Sequence, residues 1–465
     1  LSPVWMALLA GLLFALMTVL YLVHRNPWRK DLGWMPAFVL LFSPCFVFWS
    51  GSGLETAFFT FLLAVAVLRF IRECRSIEKC RAGESLLPPH FTSGVLLGLA
   101  CLTRMEGVLL LTVNLATLII LLRRGKIQAW LSVVWHLVSF GTVFGVWFLW
   151  HWWYYSHPFP NTYYCKVWGG GYELWLRGLR HVTEFSLATI CLPVFSVLSF
   201  VLSRDWRERY LAATILVLIG GVVRVGGDHF ALYRFLVPVL PLLALLVPLW
   251  FQRLLAPRSR EDESRSPSRP LPSAPLQDSF SFKAAFPRWR STAAFALYLV
   301  ISATVCLLSF ENHRSARLIL EGTRGWAKTG RWFAFQTPPD ESIATQAIGA
   351  IGYYSERSII DILGLVDEHI AHLPVRVGRG FPGHEKHDAV YTLSRNPTYI
   401  VLGHSGRVPL KRDRQTVVDI IFQGSDFLRG EQEIIASPGF DERYEFESIA
   451  LGDGTFIECF RLRDR

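Results

Sequence analysis

The sequence predicts a multi-pass α-helical membrane protein with a C-terminal extracytoplasmic α/β or α+β domain. Hydrophobic residues make up 52% of the 465 positions and mean hydropathy is +0.33, too apolar for a soluble chain of this length. As far as Phe310 they gather in runs of membrane-spanning length, and at this composition only helices satisfy their own backbone in lipid. From Glu311 onward the runs give way to mixed charge and short alternating stretches.

About ten spans follow from the apolar runs: Pro3 to Val23, Trp34 to Ser50, Leu54 to Ile71, Phe91 to Thr103, Gly107 to Leu122, Trp130 to Trp150, Val182 to Leu202, Tyr210 to Val225, Leu232 to Trp250 and Thr292 to Phe310. Basic residues resist translocation, so connections rich in them lie in the cytoplasm. Arg25, Arg29 and Lys30; Arg69, Arg72, Arg75, Lys79 and Arg81; Arg123, Arg124 and Lys126; and Arg204, Arg207 and Arg209 mark alternate connections. The Ser/Pro/Arg-rich stretch 252–290 shares their parity and reads as a cytoplasmic linker. Residues 1–310 are thus expected to form the membrane domain and 311–465 an outer domain.

The formal net charge of +10 is mostly this topology signal, and nucleic acid is not needed to explain it. No N-x-S/T sequon occurs, which favours a bacterial inner membrane. The eight cysteines show no metal-ligand spacing. Cys165 and Cys459 are the two that parity puts outside, and a disulfide between them is the pairing that topology leaves open. Leu1 has no basic segment before the first apolar run, and parity places it outside, so an upstream span is expected.

In the outer domain a helix is expected over His313 to Phe335, then strands at Ser342 to Ala347, Ser358 to Leu363, Thr398 to Gly403, Phe446 to Leu451 and Phe456 to Leu462. Gly452-Asp453-Gly454 is a hairpin turn between the last two. No internal repeat supports an inverted-repeat transporter.

Several unusual polar segments fall on the outer side. Ser50-Gly51-Ser52-Gly53-Leu54-Glu55 is a tight turn into a helix; Glu55 either complements the helix dipole or positions a sugar hydroxyl or cation. In Arg104-Met105-Glu106-Gly107 the two charges either pair locally or offer a guanidinium fork to a lipid phosphate. Trp152 to Tyr155 reads as an interfacial aromatic belt. Behind it, His157-Pro158-Phe159-Pro160-Asn161-Thr162-Tyr163-Tyr164-Cys165-Lys166 begins a short helix that would aim Lys166 at an anion. Gly226-Gly227-Asp228-His229, flanked by Arg224 and by Tyr233-Arg234, is a poor ordinary membrane turn. Asp228 and His229 suit a sugar, a hydroxyl or a divalent cation such as Mg or Mn, and Arg234 suits phosphate. Two ligands alone do not make a metal site. Gly349 to Tyr354 with Asp361, Gly364 and Leu365 reads as fold, and Gly383 to Asp388 as a polar loop within reach of a polymeric acceptor.

In their order, Ser52-Gly53-Leu54-Glu55-Thr56, Arg104-x-Glu106-Gly107, Pro160-Asn161-Thr162-Tyr163-Tyr164-x-Lys166, Gly226-Gly227-Asp228 with Arg234-Phe235, and Gly349-x-x-Gly352-Tyr353 with Asp361 and Gly364-Leu365 resemble the bacterial GT-C fold glycosyltransferases, in particular the mycobacterial terminal β-(1→2)-arabinofuranosyltransferases. The resemblance implies an inverting transferase that takes a sugar, arabinofuranose in that family, from a polyprenyl-phosphate donor to a cell-envelope glycan or glycolipid. On this reading Asp228 and Glu55 are expected in catalytic or positioning roles, Arg104, Lys166, Arg224 and Arg234, which all reach the outer boundary, in phosphate contacts, and His229, Asn161, Tyr163 and Glu106 in sugar or acceptor contacts. The resemblance also implies an acidic pair in the first outer loop, which would precede Leu1. The rival readings are a lipid-linked-sugar flippase, for which His136 is the main mid-span ionisable residue, and a non-catalytic glycan-binding assembly protein.

Overall fold

The computed structural model describes residues 2–28, 32–79, 91–123, 128–255, 288–308, 310–424 and 426–463. Part of the expected basic connections (Arg29, Lys30, Arg81, Arg124, Lys126) and most of the expected linker lie outside them. Among the described residues, four helices are long and apolar enough to cross a membrane: Pro3–Arg25, Met105–Arg123, Trp130–Tyr155 and Ala231–Arg253. The last is 83% buried against 33%, 33% and 28% for the others, so it forms the centre of the bundle while they present apolar faces outward.

Two expected spans are broken, and the cause is local chemistry that continuous apolarity hides. Trp34 to Ser50 divides into Met35–Leu41 and Pro44–Ser50, because Pro44 opens a new helix capped by the Ser43 hydroxyl. Val182 to Leu202 divides into Tyr172–Ala188 and Val194–Leu202, where Ile190 and Cys191 turn left-handed ahead of Pro193. The expected span from Leu54 becomes Thr56–Lys79, and the one from Tyr210 becomes Trp206–Arg224. Within Trp130–Tyr155 one π-helical turn spans Gly141–Gly145.

The basic connections meet at one end of the bundle. There Arg72 donates to the Arg25 carbonyl (2.5 Å), Trp28 Nε1 to Asp205 (3.3 Å), and Arg253 grips Glu208 with two bonds of 2.8 and 2.5 Å. The turns bearing Glu55, Arg104, Asp228 and Arg234 lie together at the opposite end. Midway, His136 is held from both sides, with Nδ1 3.2 Å from Ser93 Oγ and Nε2 3.1 Å from the Asn114 amide, which in turn accepts from Tyr210.

All five expected strands form: β1 Ser342–Thr345, β2 Ser358–Asp361, β3 Tyr399–Val401, β4 Tyr444–Ala450 and β5 Phe456–Leu462, in the order β2-β1-β3-β5-β4. β1 pairs parallel with β2 and β3, and β5 antiparallel with β3 and β4. The Phe310–Gln336 helix brings Phe333 against Tyr399, burying one face of the sheet. Asp361 at the end of β2 accepts from Leu363 N (2.9 Å) and Val366 N (2.7 Å), which shapes the Gly364-Leu365 loop. That loop meets the Asn161–Lys166 helix: Asn161 donates to the Gly364 carbonyl (3.3 Å) and the Cys165 thiol to the Leu363 carbonyl (3.0 Å). Cys165 and Cys459 are therefore separate buried thiols and form no disulfide.

Helices Tyr172–Ala188 and Trp206–Arg224 approach so closely that a Cβ on Gly178 would fall 2.2 Å from the Val223 carbonyl oxygen, whereas one on Gly220 would meet nothing within 4 Å. Gly178→Val should lower the melting temperature of the purified protein or prevent its folding, an overpacking cost on the order of 1–3 kcal/mol. Gly220→Ala should leave the melting temperature nearly unchanged. Equal melting for the two variants would contradict the packing described.

Candidate functional site

The site begins with a turn that only glycine can make. Gly226 (φ +82) and Gly227 (φ +73) are left-handed, and a Cβ would meet Leu174 at 2.3 Å and His181 at 2.7 Å respectively. The turn delivers Asp228, whose side chain is 3% exposed. Its Oδ1 accepts from His229 N (2.9 Å) and its Oδ2 from Arg234 Nε (2.8 Å). Between them Leu232 (φ 56) and Tyr233 (φ 52) are also left-handed, a conformation that costs side-chain-bearing residues on the order of 1–3 kcal/mol each. Trp49 holds this strained segment by donating to the carbonyls of Ala231 (3.1 Å) and Leu232 (3.0 Å). Arg234 also lies over the rings of Phe230 (4.5 Å) and Phe235 (5.0 Å).

Arg104 comes in from the turn between two helices. Its Nη2 donates to Glu106 (2.6 Å), its Nη1 stands 3.7 Å from Glu55, and its guanidinium lies 4.9 Å from the Phe235 ring. Arg104 is 8% exposed, against 40% for Glu106 and 44% for Glu55. Its Nη1 is buried without a hydrogen-bond partner among the described residues, and so is His181 Nε2. Beneath Arg104 a narrow apolar crevice of about 30 Å³ runs between Leu109, Leu218, Val222, Phe235 and Val239.

Lys166 supplies the third cation. It is half-buried, with its methylenes against Gly383, and it makes no ion pair within 4 Å among the described residues. Burial pulls its ammonium below the usual lysine range, with Asp228 opposing and Arg234 reinforcing. For Asp228 burial alone would push the carboxyl up, but Arg234, then His229, Lys166 and His181, hold it below the usual range. Burial lowers His229 to about 4, only partly offset by Asp228. It lowers His384 to about 3, with His229 and Lys166 adding to the effect. Both imidazoles are neutral at pH 7.

The sheet domain closes over this cluster. Arg177 donates to the Gly226 carbonyl (3.2 Å), the Gly380 carbonyl (3.3 Å) and Glu385 (3.2 Å), tying the glycine turn to the 380s loop. Glu385 is fixed by the amides of Gly378 and Gly380, and Phe381 sits 5.3 Å from the His229 ring.

Of the residues singled out from sequence, Glu55, Arg104, Glu106, Asp228, His229, Arg234 and Lys166 converge here. Arg224 does not: it is exposed and lies over Trp175. Asn161 and Tyr163 sit at the junction with the Gly364-Leu365 loop, Tyr163 against Phe159 and, like Leu365, beside the buried Tyr164-Cys165-Ala371 cluster. Arg177 and His181 belong to the site although sequence reasoning gave them no role, whereas Phe235 and His384 join it from the Arg234-Phe235 motif and the Gly383 to Asp388 loop singled out above. Arg177 and His181 read as the polar face of an ordinary amphipathic helix.

Among solved structures, the crystal structure of ArnT from Cupriavidus metallidurans bound to undecaprenyl phosphate is similar, with a TM-score of 0.53 and 12% identity over 99% of this chain and 84% of that one. This is a GT-C fold. The archaeal oligosaccharyltransferase AglB from Archaeoglobus fulgidus, in complex with an inhibitory peptide and a dolichol-phosphate, matches with a TM-score of 0.46 and 11% identity over 97% of this chain and 62% of its own length. The Archaeoglobus fulgidus oligosaccharyltransferase tethered to an acceptor peptide gives 0.45 and 10% over 97% and 61%. The chain thus spans about three fifths of the two oligosaccharyltransferase chains. A family model described as "Domain of unknown function (DUF8728)" matches residues 315–447. No curated protein matches.

The neutral histidines make the junction acid-sensitive. From about pH 6.5 down to about pH 4 the unfolded chain takes up protons at His229 and His384 that the folded chain refuses, so stability falls as pH is lowered through that window. By pH 5 the loss is of order 2 kcal/mol per imidazole. The melting temperature should be lower at pH 5 than at pH 7, and the gap should narrow in the His229→Gln/His384→Gln double variant. A gap of unchanged size would sink this account.

Proposed function

We propose that the chain is an inverting membrane glycosyltransferase whose cationic cluster binds the phosphate of a polyprenyl-phosphate sugar. The observation that carries this reading is the convergence of Arg104, Arg234 and Lys166 from three distant segments, with Arg104 Nη1 lacking a hydrogen-bond partner and Lys166 an ion pair among the described residues. A guanidinium fork and a free ammonium in a low-dielectric pocket suit a phosphate leaving group. The fold neighbour bound to undecaprenyl phosphate supports the same class of donor.

In the proposed step the acceptor hydroxyl oxygen attacks the anomeric carbon as the carbon–oxygen bond to phosphate breaks. The electron pair leaves on the phosphate oxygen, where Arg104, Arg234 and Lys166 stabilise it, and the hydroxyl proton passes to a carboxylate. Asp228, buried and committed to Arg234, is a positioning residue for that guanidinium. Glu55 is more exposed and makes one long contact to Arg104, so it is the better-placed group to orient the acceptor hydroxyl. Glu106 and neutral His229 complete the rim. The crevice beneath Arg104 is too small for a prenyl chain, so the lipid tail would lie along the exposed apolar helix faces.

We take the sugar to be arabinofuranose, the acceptor to be a cell-envelope glycan or glycolipid, and the site to open on the outer face of a bacterial inner membrane. The sequence resemblance and the charge parity support these finer assignments. The flippase reading loses its main support, since both ring nitrogens of His136 are taken up in a closed polar network.

The test is release of polyprenyl phosphate by the full-length protein in lipid nanodiscs, offered labelled polyprenyl-phosphate arabinose, mannose and glucose with an envelope-glycan extract. Arg104→Ala, Arg234→Ala and Asp228→Ala should each lower kcat/KM at least about a hundredfold, roughly 3 kcal/mol. Glu55→Gln should lower kcat while donor binding persists. Full turnover in Asp228→Ala, or release from none of the donors, would overturn the reading.

A further inference from the structure

A cleft of about 890 Å³, separate from the charge cluster, is lined by His157, Asp367, Glu368, His369, His372 and Tyr391. At its wall three metal-ligating side chains meet: the ligand atoms of His157, Glu368 and His372 all lie within 4.8 Å of one another. We propose that these residues form a Zn²⁺-type site that staples the segment after the Trp130–Tyr155 helix to the sheet domain.

The geometry is prepared in the manner of a metal site. Glu368 and His372 stand four residues apart at the Glu368–Ala371 turn, which sets them on one face. His372 Nδ1 lies 2.9 Å from the Glu368 carbonyl oxygen, so it carries the proton and donates it. That hydrogen bond fixes the tautomer and leaves the lone pair on Nε2, the arrangement found behind metal-bound imidazoles. His372 Nε2 is buried without a hydrogen-bond partner among the described residues. His157 comes from the far segment, its Nε2 donating to Glu368 Oε1 at 2.9 Å and its ring stacked 4.4 Å from that of His372. Tyr164 backs both rings, at 5.4 Å from His157 and 4.3 Å from His372. His369 is not part of the set, because its Nε2 is engaged by Asp388 at 2.9 Å.

Two imidazoles and one carboxylate disfavour Mg²⁺ and Ca²⁺, which prefer all-oxygen shells, and suit a late first-row divalent ion with one position left to water. Binding would draw the three ligands together, and His157, ligating through Nε2 as a neutral imidazole, would carry its proton on Nδ1 in place of the one it now donates to Glu368. The Asp228–His229 pair is a weaker candidate, since no third ligand joins it among the described residues. The ion would sit beside Tyr164, two residues from Lys166, and would fix the helix that carries that lysine.

The staple is tested without any sugar donor, so its failure and that of the transferase reading are distinguishable. Full-length protein in nanodiscs, stripped with a chelator and desalted, is titrated with Zn²⁺ against a competing chromophore, and its melting temperature is followed with and without the ion. One Zn²⁺ per chain is expected, with a rise in melting temperature. His157→Ala and His372→Ala should each weaken binding at least tenfold and abolish the rise, while melting like the stripped wild type. His387→Ala, which removes a histidine paired elsewhere with Glu433, should bind as wild type does. No retained Zn²⁺, equal binding in the His157 and His372 variants, or preference for Mg²⁺ would each overturn the proposal.

Discussion

The architecture of the charged end depends on the Asp228–Arg234 ion pair. A carboxylate with 3% of its side chain exposed would be driven neutral by burial unless a cation stood against it. Arg234 occupies that place, six residues along a turn that runs through two left-handed side-chain-bearing residues. The turn cannot relax without separating the pair, and Trp49 blocks relaxation by holding the carbonyls of Ala231 and of the strained Leu232. A segment that would otherwise be a flexible membrane turn is therefore rigid, and its rigidity places a guanidinium face beside Arg104 and Lys166.

Rigid cations are worth more than mobile ones here. Each charge brought into a low-dielectric pocket loses hydration, and the loss is regained only where an opposite charge arrives in a fixed position. Arg104 is partly compensated by Glu106, and Arg234 by Asp228, whereas Lys166 depends mainly on its distant attraction to Asp228. The phosphodiester of the proposed donor, a monoanion that gains a second charge as the sugar leaves, would meet this uneven compensation by binding between Lys166 and Arg104. The sheet domain contributes through Arg177, which joins the glycine turn to the 380s loop and so limits the access of water to the same charges.

Much of the fold was legible from the chain because it rests on one-dimensional signals. Period-two apolar stretches and the Gly452-Asp453-Gly454 turn located all five strands, and continuous apolarity located most of the helices. What failed was anything decided by backbone geometry within an apolar run. The Pro44 restart and the left-handed Ile190 and Cys191 look, by composition, like uninterrupted span. The site was legible where it is built from unusual turns, as at Gly226-Gly227-Asp228 and Arg104-x-Glu106. It was illegible where an ordinary residue becomes functional by being approached. Arg177 lies on an amphipathic helix and shows no sign in sequence that the loop at Gly380 will reach it. Arg224 shows the converse: four residues before Asp228 it looked like part of the cluster, but as the last residue of its helix it points outward over Trp175.

The distribution of charge through the bundle also distinguishes chemistry at the boundary from passage through it. A carrier needs polar groups that can be vacated and refilled along its path. In the described bundle the mid-depth polar residues Ser93, Asn114, His136 and Tyr210 instead satisfy one another in a closed chain of hydrogen bonds, so opening a path through them would expose each to lipid unpaired. Among the described residues, the Arg104 guanidinium with its unsatisfied nitrogen and the unpaired Lys166 ammonium lie at one end, next to a turn held under strain. Cationic capacity at a rigid boundary, above a polar network that closes on itself, supports the proposed reading of a ligand held for reaction.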